Sequence, residues 1–328
     1  MGMTKIAAIV PCYNRREKTL LFLQQIHQQT HVGLDIILVD ASSTDGTEMA
    51  IAAKFPNVTV LTVDSDCYWT AATNAGVRHA LDSGYDYILT INDDSSVDAS
   101  YVETLLDVAQ RYDLRILGSR IDYLPQPGLI WALGTAVIWG TRLLKLNTHN
   151  VLDTQLGEEF RSRDVIYVKA MPGNGVLIHR SVFEEIGLYN EKMLPHYHGD
   201  SEFIMRAVSR GIESAVTQRA IVYDDSPLPQ QQRQEKNDRP NQFWVQDFFH
   251  TFFHRRSGWF LLPRIYLISM YCPWPRKLQT LLQGTLGVMI GWLGQRSVRA
   301  IKRSYLLCHM RSTRPIPLSS LPKQASRR

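Results

Sequence analysis

YDYILTINDDSSVDASYVETLL, residues 85–106, is the stretch whose reading decides the fold. Residues 87–91 are a short apolar run without helical spacing. The run stops at Asn92, Asp93 and Asp94, and an amphipathic segment starts a few residues later. A brief, continuous apolar run bounded by polar residues reads as a strand buried on both faces, and such strands belong to parallel sheets. The two adjacent acids admit two readings. Asp and Ser make turns and helix caps. Two carboxylates at the carboxyl end of a parallel strand also make a cation site.

Working outward, the same alternation repeats. KIAAIV (5–10), DIILVD (35–40), VTVLTV (58–63) and LRILGSRI (114–121) read as further buried strands. Between them, residues 16–29, the segment after ASSTDGT, residues 71–84 and residues 98–112 carry helical spacing, and Gly84 stops the third helix. Apolar strands alternating with helices predict a mostly parallel sheet covered on both faces. In such sheets ligands bind beyond the carboxyl ends of the strands. That rule gathers Pro11, Tyr13 and Asn14, Asp40, Asp64 and Asp66, and residues 92–94 into one crevice. The chain has neither a GxGxxG nor a Walker glycine loop, so a nucleotide is not held by those phosphate cradles. Residues 122–170 are ambiguous, because IWALGTAVIW fits a strand or a buried helix. Further on, MPGNGVLIHRS gives a glycine-rich loop, a short strand and a helix begun by Ser181. Residues 199–211 read as a helix stopped by Gly211, and residues 213–223 as a strand.

Composition is that of an ordinary globular chain of 328 residues, 45% hydrophobic and 20% charged, with net charge +5. The charge is unevenly spread. All 31 acids lie before residue 248, whereas residues 251–328 hold 14 Lys and Arg and no acid. Such a tail is expected to meet an anionic surface. Cys12, Cys67, Cys272 and Cys308 are scattered, which fits a reducing compartment rather than a disulfide framework. The first residues lack the pattern of a secretory leader, and Ile6 stands where a myristoylation motif wants Ser or Thr.

Residues 226–242 read as a polar linker and residues 243–310 as a helical, basic, aromatic-rich segment. Residues 311–328 read as a disordered tail. The uncharged piece 278–295 contains three Gln and four Gly, marginal against the roughly 20 apolar residues a span needs. Basic flanks and aromatic edges fit a segment lying on a membrane better. Packing on the preceding domain, or oligomerisation, is the plainer alternative.

In register, AAIVPCYNRREKTLLFLQQIHQQT, DIILVDASSTDGT, NAGVRHAL, YDYILTINDDSSVD and GVLIHRSVFEEIGLYNEKM…HGDSEFIMRAVSRG resemble the family 2 glycosyltransferases over residues 5–223. The nearest likeness is to their rhamnosyltransferase-like branch, which builds polysaccharides. The resemblance implies one nucleotide-diphospho-sugar transferase domain of the GT-A arrangement over residues 1–225, with the helical basic extension after it. It implies inverting transfer from a nucleoside-diphosphate sugar, assisted by Mg²⁺ or Mn²⁺ held on carboxylates and substrate phosphates. By register Asn92 takes the place of the first acid of the family's DxD motif and Asp94 that of the second. Asp94 is thus the expected metal ligand, with Asn92 and Asp93 on the ribose or diphosphate.

Pro11, Tyr13 and Asp40 match the nucleoside-binding positions, although Asp40 can equally cap the SSTDGT turn. Ala41 departs from the second polar residue usual there. Asp66, Trp69 and Asn74 lie where the donor is gripped, and Trp69 can equally be a core aromatic. The acid of the family's helix-opening pair falls on Asp200, the expected base, which can instead be a helix cap. Asp224 falls near the place of a metal-completing His. His198, two residues before Asp200, can assist the base or bind acceptor. Gly173, Asn174 and Gly175 form a loop that either admits a sugar or merely turns.

Two other classes compete. A sugar nucleotidyltransferase usually opens with a glycine-rich loop that VPCYNRRE lacks. A nucleic-acid binder would use the basic tail, but apolar residues outnumber charges there and the body is acidic. The reading is therefore a cytoplasmic transferase, peripheral on the inner membrane face. It extends a lipid-linked or polysaccharide acceptor and can oligomerise through its C-terminal segment, with no nucleic-acid partner.

Overall fold

The computed structural model describes residues 3–140, 143–146, 150–232, 244–255 and 257–294. Its centre is the sheet the alternation predicts. β1 (Ile6–Cys12), β2 (Leu34–Asp40), β3 (Thr59–Thr62) and β4 (Tyr87–Thr90) are parallel neighbours in the order β3-β2-β1-β4. Helices α1 (Arg16–Ile26), α2 (Thr47–Lys54) and α3 (Trp69–Asp82) make the crossovers between them. After β4 come a short strand β5 (Ser95–Val97), helix α4 (Tyr101–Arg111) and β6 (Ile116–Tyr123).

The strand period of two shows why both faces need cover. Ile6, Ala8 and Val10 of β1 enter one apolar layer with Phe22 and Leu23 of α1, Ile51 of α2 and Leu105 of α4. Ala7 and Ile9 enter the opposite layer with Val77 of α3. Gly76 sets how close α3 can lie, since a Cβ there would stand 2.5 Å from Ile9 Cγ2.

The ambiguous middle is β structure. β7 (Gln126–Ala132) turns back on β6, β8 (Thr135–Ile138) pairs with β9 (Leu143–Leu146), and β10 (Val151–Leu152) pairs with β7. After the short helix α5 (Glu158–Arg161) and β11 (Val165–Tyr167) comes β12 (Val176–His179). β12 inserts antiparallel between β4 and β6, so the sheet is mostly parallel but mixed. Helix α6 (Arg180–Ile186) is capped by His179, whose side chain accepts from Ser181 N, so the helix begins one residue before the expected Ser181. Helix α7 (Gly199–Ser209) and β13 (Ala215–Asp224) complete the domain. β13 runs parallel to β6 and antiparallel to β5, which brings Asp224 opposite Ser95.

The described part of the C-terminal extension is helical: Trp244–Phe253, Leu261–Tyr271 and Trp274–Leu282, the last continuing through a π turn at Gln283–Gly287 to residue 294. It packs on the domain. Leu267, Ile268 and Cys272 join Ala170, Leu194 and Met205 in one apolar cluster. Tyr271 OH donates to Glu202 Oε1 at 2.6 Å, and Asn190 Nδ2 donates to Tyr266 OH at 2.9 Å. Among the described residues no helix is long and apolar enough to cross a membrane, and Cys12, Cys67 and Cys272 are free thiols. Most of the polar linker, residues 295–310 of the basic segment, all of 311–328 and Cys308 lie outside the described residues.

Candidate active site

The polar residues after β4 answer the question raised by their adjacency. Asp93 and Asp94 do not face one space. Asp93 has no exposed surface and turns beneath α1, where Thr19 Oγ1 donates to it at 2.9 Å. Burial pushes its carboxyl up to about 6, against the pull of Arg15. It has no surface from which to reach a ribose or diphosphate, which corrects the role expected for it. Asp94 lies at the crevice. Arg15 bridges the two acids, ion-paired with Asp93 and donating from Nη1 to Asp94 at 2.7 Å. The other carboxylate oxygen of Asp94, Oδ1, is buried without a hydrogen-bond partner.

Asp224 closes the same corner from β13. Burial raises its pKa first, and the charge of Asp94 raises it further. Asn174 ties this corner together. Its Oδ1 accepts from Asn92 N and Ser95 Oγ, each at 3.0 Å, and its Nδ2 donates to Asp224 Oδ2 at 3.2 Å. Two carboxylates, one with an unsatisfied oxygen, fit a hard cation that takes its remaining ligands from phosphates and water. Among the described residues no cluster of three or more His, Cys, Asp or Glu forms a self-sufficient metal cage.

From Asn92 the contacts run on to Asp200. Trp69, the first residue of α3, donates from Nε1 to Asn92 Oδ1 at 3.2 Å and meets Tyr189 edge-on. Gly173 lies against the indole, where a Cβ would stand 2.6 Å from Trp69 Cη2. Gly173 N donates to Asp200 Oδ2 at 2.9 Å, and Ser201 N donates to Asp200 Oδ1 at 2.6 Å. Asp200 is thus not the cap of α7. That place belongs to His198, which holds φ +67°. Burial lifts the Asp200 carboxyl above its ordinary pKa, partly offset by these two backbone donors. Burial first, and the charge of Arg264 second, push His198 down to about 4, so its imidazole is neutral at neutral pH.

The other residues singled out fall elsewhere. Pro11 ends in β1 beside Val39, and Tyr13 stands 43% exposed on the loop after it. That loop is laced to the one after β2, with Asn14 N donating to Ser43 Oγ and Thr44 N to Asn14 Oδ1. Asp40 is 1% exposed and accepts from Ser43 N with both oxygens, the turn-holding arrangement. Asp66 lines a pocket of about 520 Å³ at the carboxyl ends of β2 and β3, with Ser42, Asp64, Cys67 and Arg78. Asn74 is buried and fully engaged with Tyr189 and Glu191, so it clasps a loop rather than facing the crevice. Gly175 has φ +78° and is walled in by Val222, Tyr101 and Ser119, so it serves the turn.

Sequence reasoning missed Arg15 and, although packing of the extension on the domain was one alternative, the individual contacts that make it. The one signal for Arg15 was a basic pair directly after the first strand's loop, in the crevice that also receives an acidic pair.

A family profile described as Glycosyl transferase family 2 matches residues 7–186. The undecaprenyl-phosphate mannosyltransferase of Micrococcus luteus is 31% identical over 119 residues, covering 35% of this chain and 48% of that protein. The match thus spans about half the length, or less, of the curated relatives. Among solved structures, GalNAc-T7 with UDP, GalNAc and Mn²⁺ superposes with TM-score 0.60 at 16% identity, over 85% of this chain and 50% of that one. Residues 1–349 of S. aureus TarS in complex with UDP-GlcNAc give TM-score 0.51 at 13% identity, over 86% and 71%. At these identities the likeness is one of fold, and the fold is that of the GT-A transferases.

Proposed function

Because the chain belongs to glycosyl transferase family 2, we propose that it transfers a hexosyl or deoxyhexosyl group from a nucleoside-diphosphate sugar to an acceptor hydroxyl, with inversion. The observation that carries this is the unbroken run of contacts from the Asp94 and Asp224 corner through Asn174, Asn92, Trp69 and Gly173 to Asp200. It spans the two ends such a reaction needs. Asp94 and Asp224 would hold an Mg²⁺ or Mn²⁺, which would supply Lewis-acid neutralisation of the departing diphosphate. At the other end Asp200 takes the acceptor proton as the acceptor oxygen bonds to the anomeric carbon. The bond from that carbon to the diphosphate oxygen breaks, and its electron pair leaves with the diphosphate. Arg15 holds Asp94 in place before the donor arrives. Pro11 and Tyr13 border the nucleoside, with Asp40 holding the turn beside them, and His198 with Gly173 borders the acceptor.

The acceptor class is a lipid-linked or polysaccharide hydroxyl, in the manner of the rhamnosyltransferase-like branch. The name of the Micrococcus relative, which acts on a polyprenyl phosphate, favours a lipid-linked one. The extension would hold the enzyme at an anionic membrane surface on the cytoplasmic side. The test is product formation from a panel of nucleotide sugars, with the anomeric configuration read by NMR. The reading predicts inversion and its loss in Asp200→Asn. Retention of configuration, or full activity in that variant, contradicts it.

A further inference from the structure

The helix that starts at Trp274 carries an apolar stripe that the domain does not use. Trp274, Leu278, Leu282, Leu286 and Ile290 recur every fourth residue and are 48% to 83% exposed. The opposite side, Thr280, Gly284 and Val288, is buried against the rest of the extension. In a straight α-helix a spacing of four drifts by about 40° per step. The wider π turn at Gln283–Gly287 takes back part of that drift and keeps the row on one side. From Trp274 to Ile290 the row is roughly 24 Å long at 1.5 Å per residue. A row of this length would ordinarily be covered.

Charge decides what covers it. Lys277 lies beside the row, Arg276 is exposed in the helix's first turn on the side of Thr280, and no acid follows Asp247 in the sequence. Two copies meeting through this face would bring like charges together, as would the rest of this chain's basic tail. An anionic lipid surface accepts both the apolar row and the cations. We infer that the helix from Trp274 to residue 294 lies in the plane of an anionic bilayer surface, with the Trp274–Ile290 row in its acyl boundary. Tyr271, one turn earlier in the chain, is bonded to Glu202 of α7, the helix that carries Asp200. The surface helix and the helix that carries the base are thus joined through Tyr271, the last residue of the preceding helix, across the extended Cys272 and Pro273. This deepens the membrane reading above and rests on it, but its test does not need catalysis.

The experiment is flotation of the full-length chain with vesicles of phosphatidylcholine, alone and with phosphatidylglycerol, beside the variants Leu278→Asp and Leu286→Asp. Both residues are exposed and lie outside the candidate active site. The expected result is flotation only with the anionic vesicles, weakened by salt, and a loss of roughly tenfold or more in each variant. The melting temperature should stay that of the parent. Failure of the wild-type chain to float, or unchanged flotation of both variants, overturns the inference. So does a wild-type dimer that the variants dissolve while flotation persists. A chain that floats as expected but transfers no sugar leaves the inference standing and sinks the transferase reading.

Discussion

Gly173→Ala is the smallest change that separates the two sides of the candidate active site. Gly173 is not among the glycines with positive φ, so alanine suits its backbone and only space is at issue. The added methyl would stand 2.6 Å from Trp69 Cη2, 2.8 Å from Cζ2 and 3.0 Å from Asp200 Cβ. Ordinary carbon contacts begin near 3.5 Å, so the indole and the carboxylate must part by about 1 Å. The indole has little freedom to yield, because Asn92 holds its Nε1 and Tyr189 stands against its ring. Overpacking of this kind costs about 1–3 kcal/mol in stability. A misplacement of about 1 Å at the reacting groups costs about 100-fold in rate. The assay is kcat and KM for donor consumption, with a thermal melt to show that the fold persists. Trp69→Phe removes the two clashing atoms, so the double variant should regain part of the lost rate. Gly173→Ala within about twofold of wild type would refute the reasoning, as would strict additivity of the two substitutions.

Burial raises the Asp200 pKa, so a base that must be ionised gives an acid limb above the ordinary carboxylate range. The rate falls as pH drops through that limb. The same raised pKa makes protonation favour the folded state, so this group's part in the loss is not unfolding. A pH profile of kcat/KM whose acid limb lies at or below about 4 refutes this assignment. Tyr271→Phe removes the donor to Glu202, which is 1% exposed, and should cost about 1.5–3 kcal/mol in a denaturant titration. Unchanged stability there would mean that the extension is not fastened to α7 through this bond.

Much of the fold was legible because its signals are local. Uninterrupted strands such as residues 35–40 can only be buried on both faces, and helices 16–29 and 98–112 carry their apolar spacing openly. The middle was not legible, because an apolar run such as IWALGTAVIW carries no period that separates strand from buried helix. Asp94, Asp224 and Asp200 do fall near one crevice. What the sequence could not show is which way each polar side chain turns. Asp93 and Asp94 are neighbours in the chain but part company around Arg15, one beneath α1 and one at the crevice. Asn74 looks like a donor contact by position, yet its amide is engaged with Tyr189 and Glu191. Asn174 was assigned to an acceptor loop, and its amide also ties Asn92 to Asp224 through groups 50 to 82 residues away. Such assignments depend on long-range contacts that no local pattern encodes.

The central claim is that one site joins a cation, a nucleotide sugar and Asp94, and the most direct test of it is ligand-induced stabilisation. Melting temperature would be measured across a panel of nucleotide sugars, with and without Mn²⁺, on the wild-type chain and on Asp94→Ala. A bound ligand stabilises by RT ln(1 + [L]/Kd), about 2.7 kcal/mol at a concentration 100 times Kd. The account predicts that one donor raises the melt only when Mn²⁺ is present, and that Asp94→Ala removes the shift. A donor that stabilises both proteins equally without metal would contradict it.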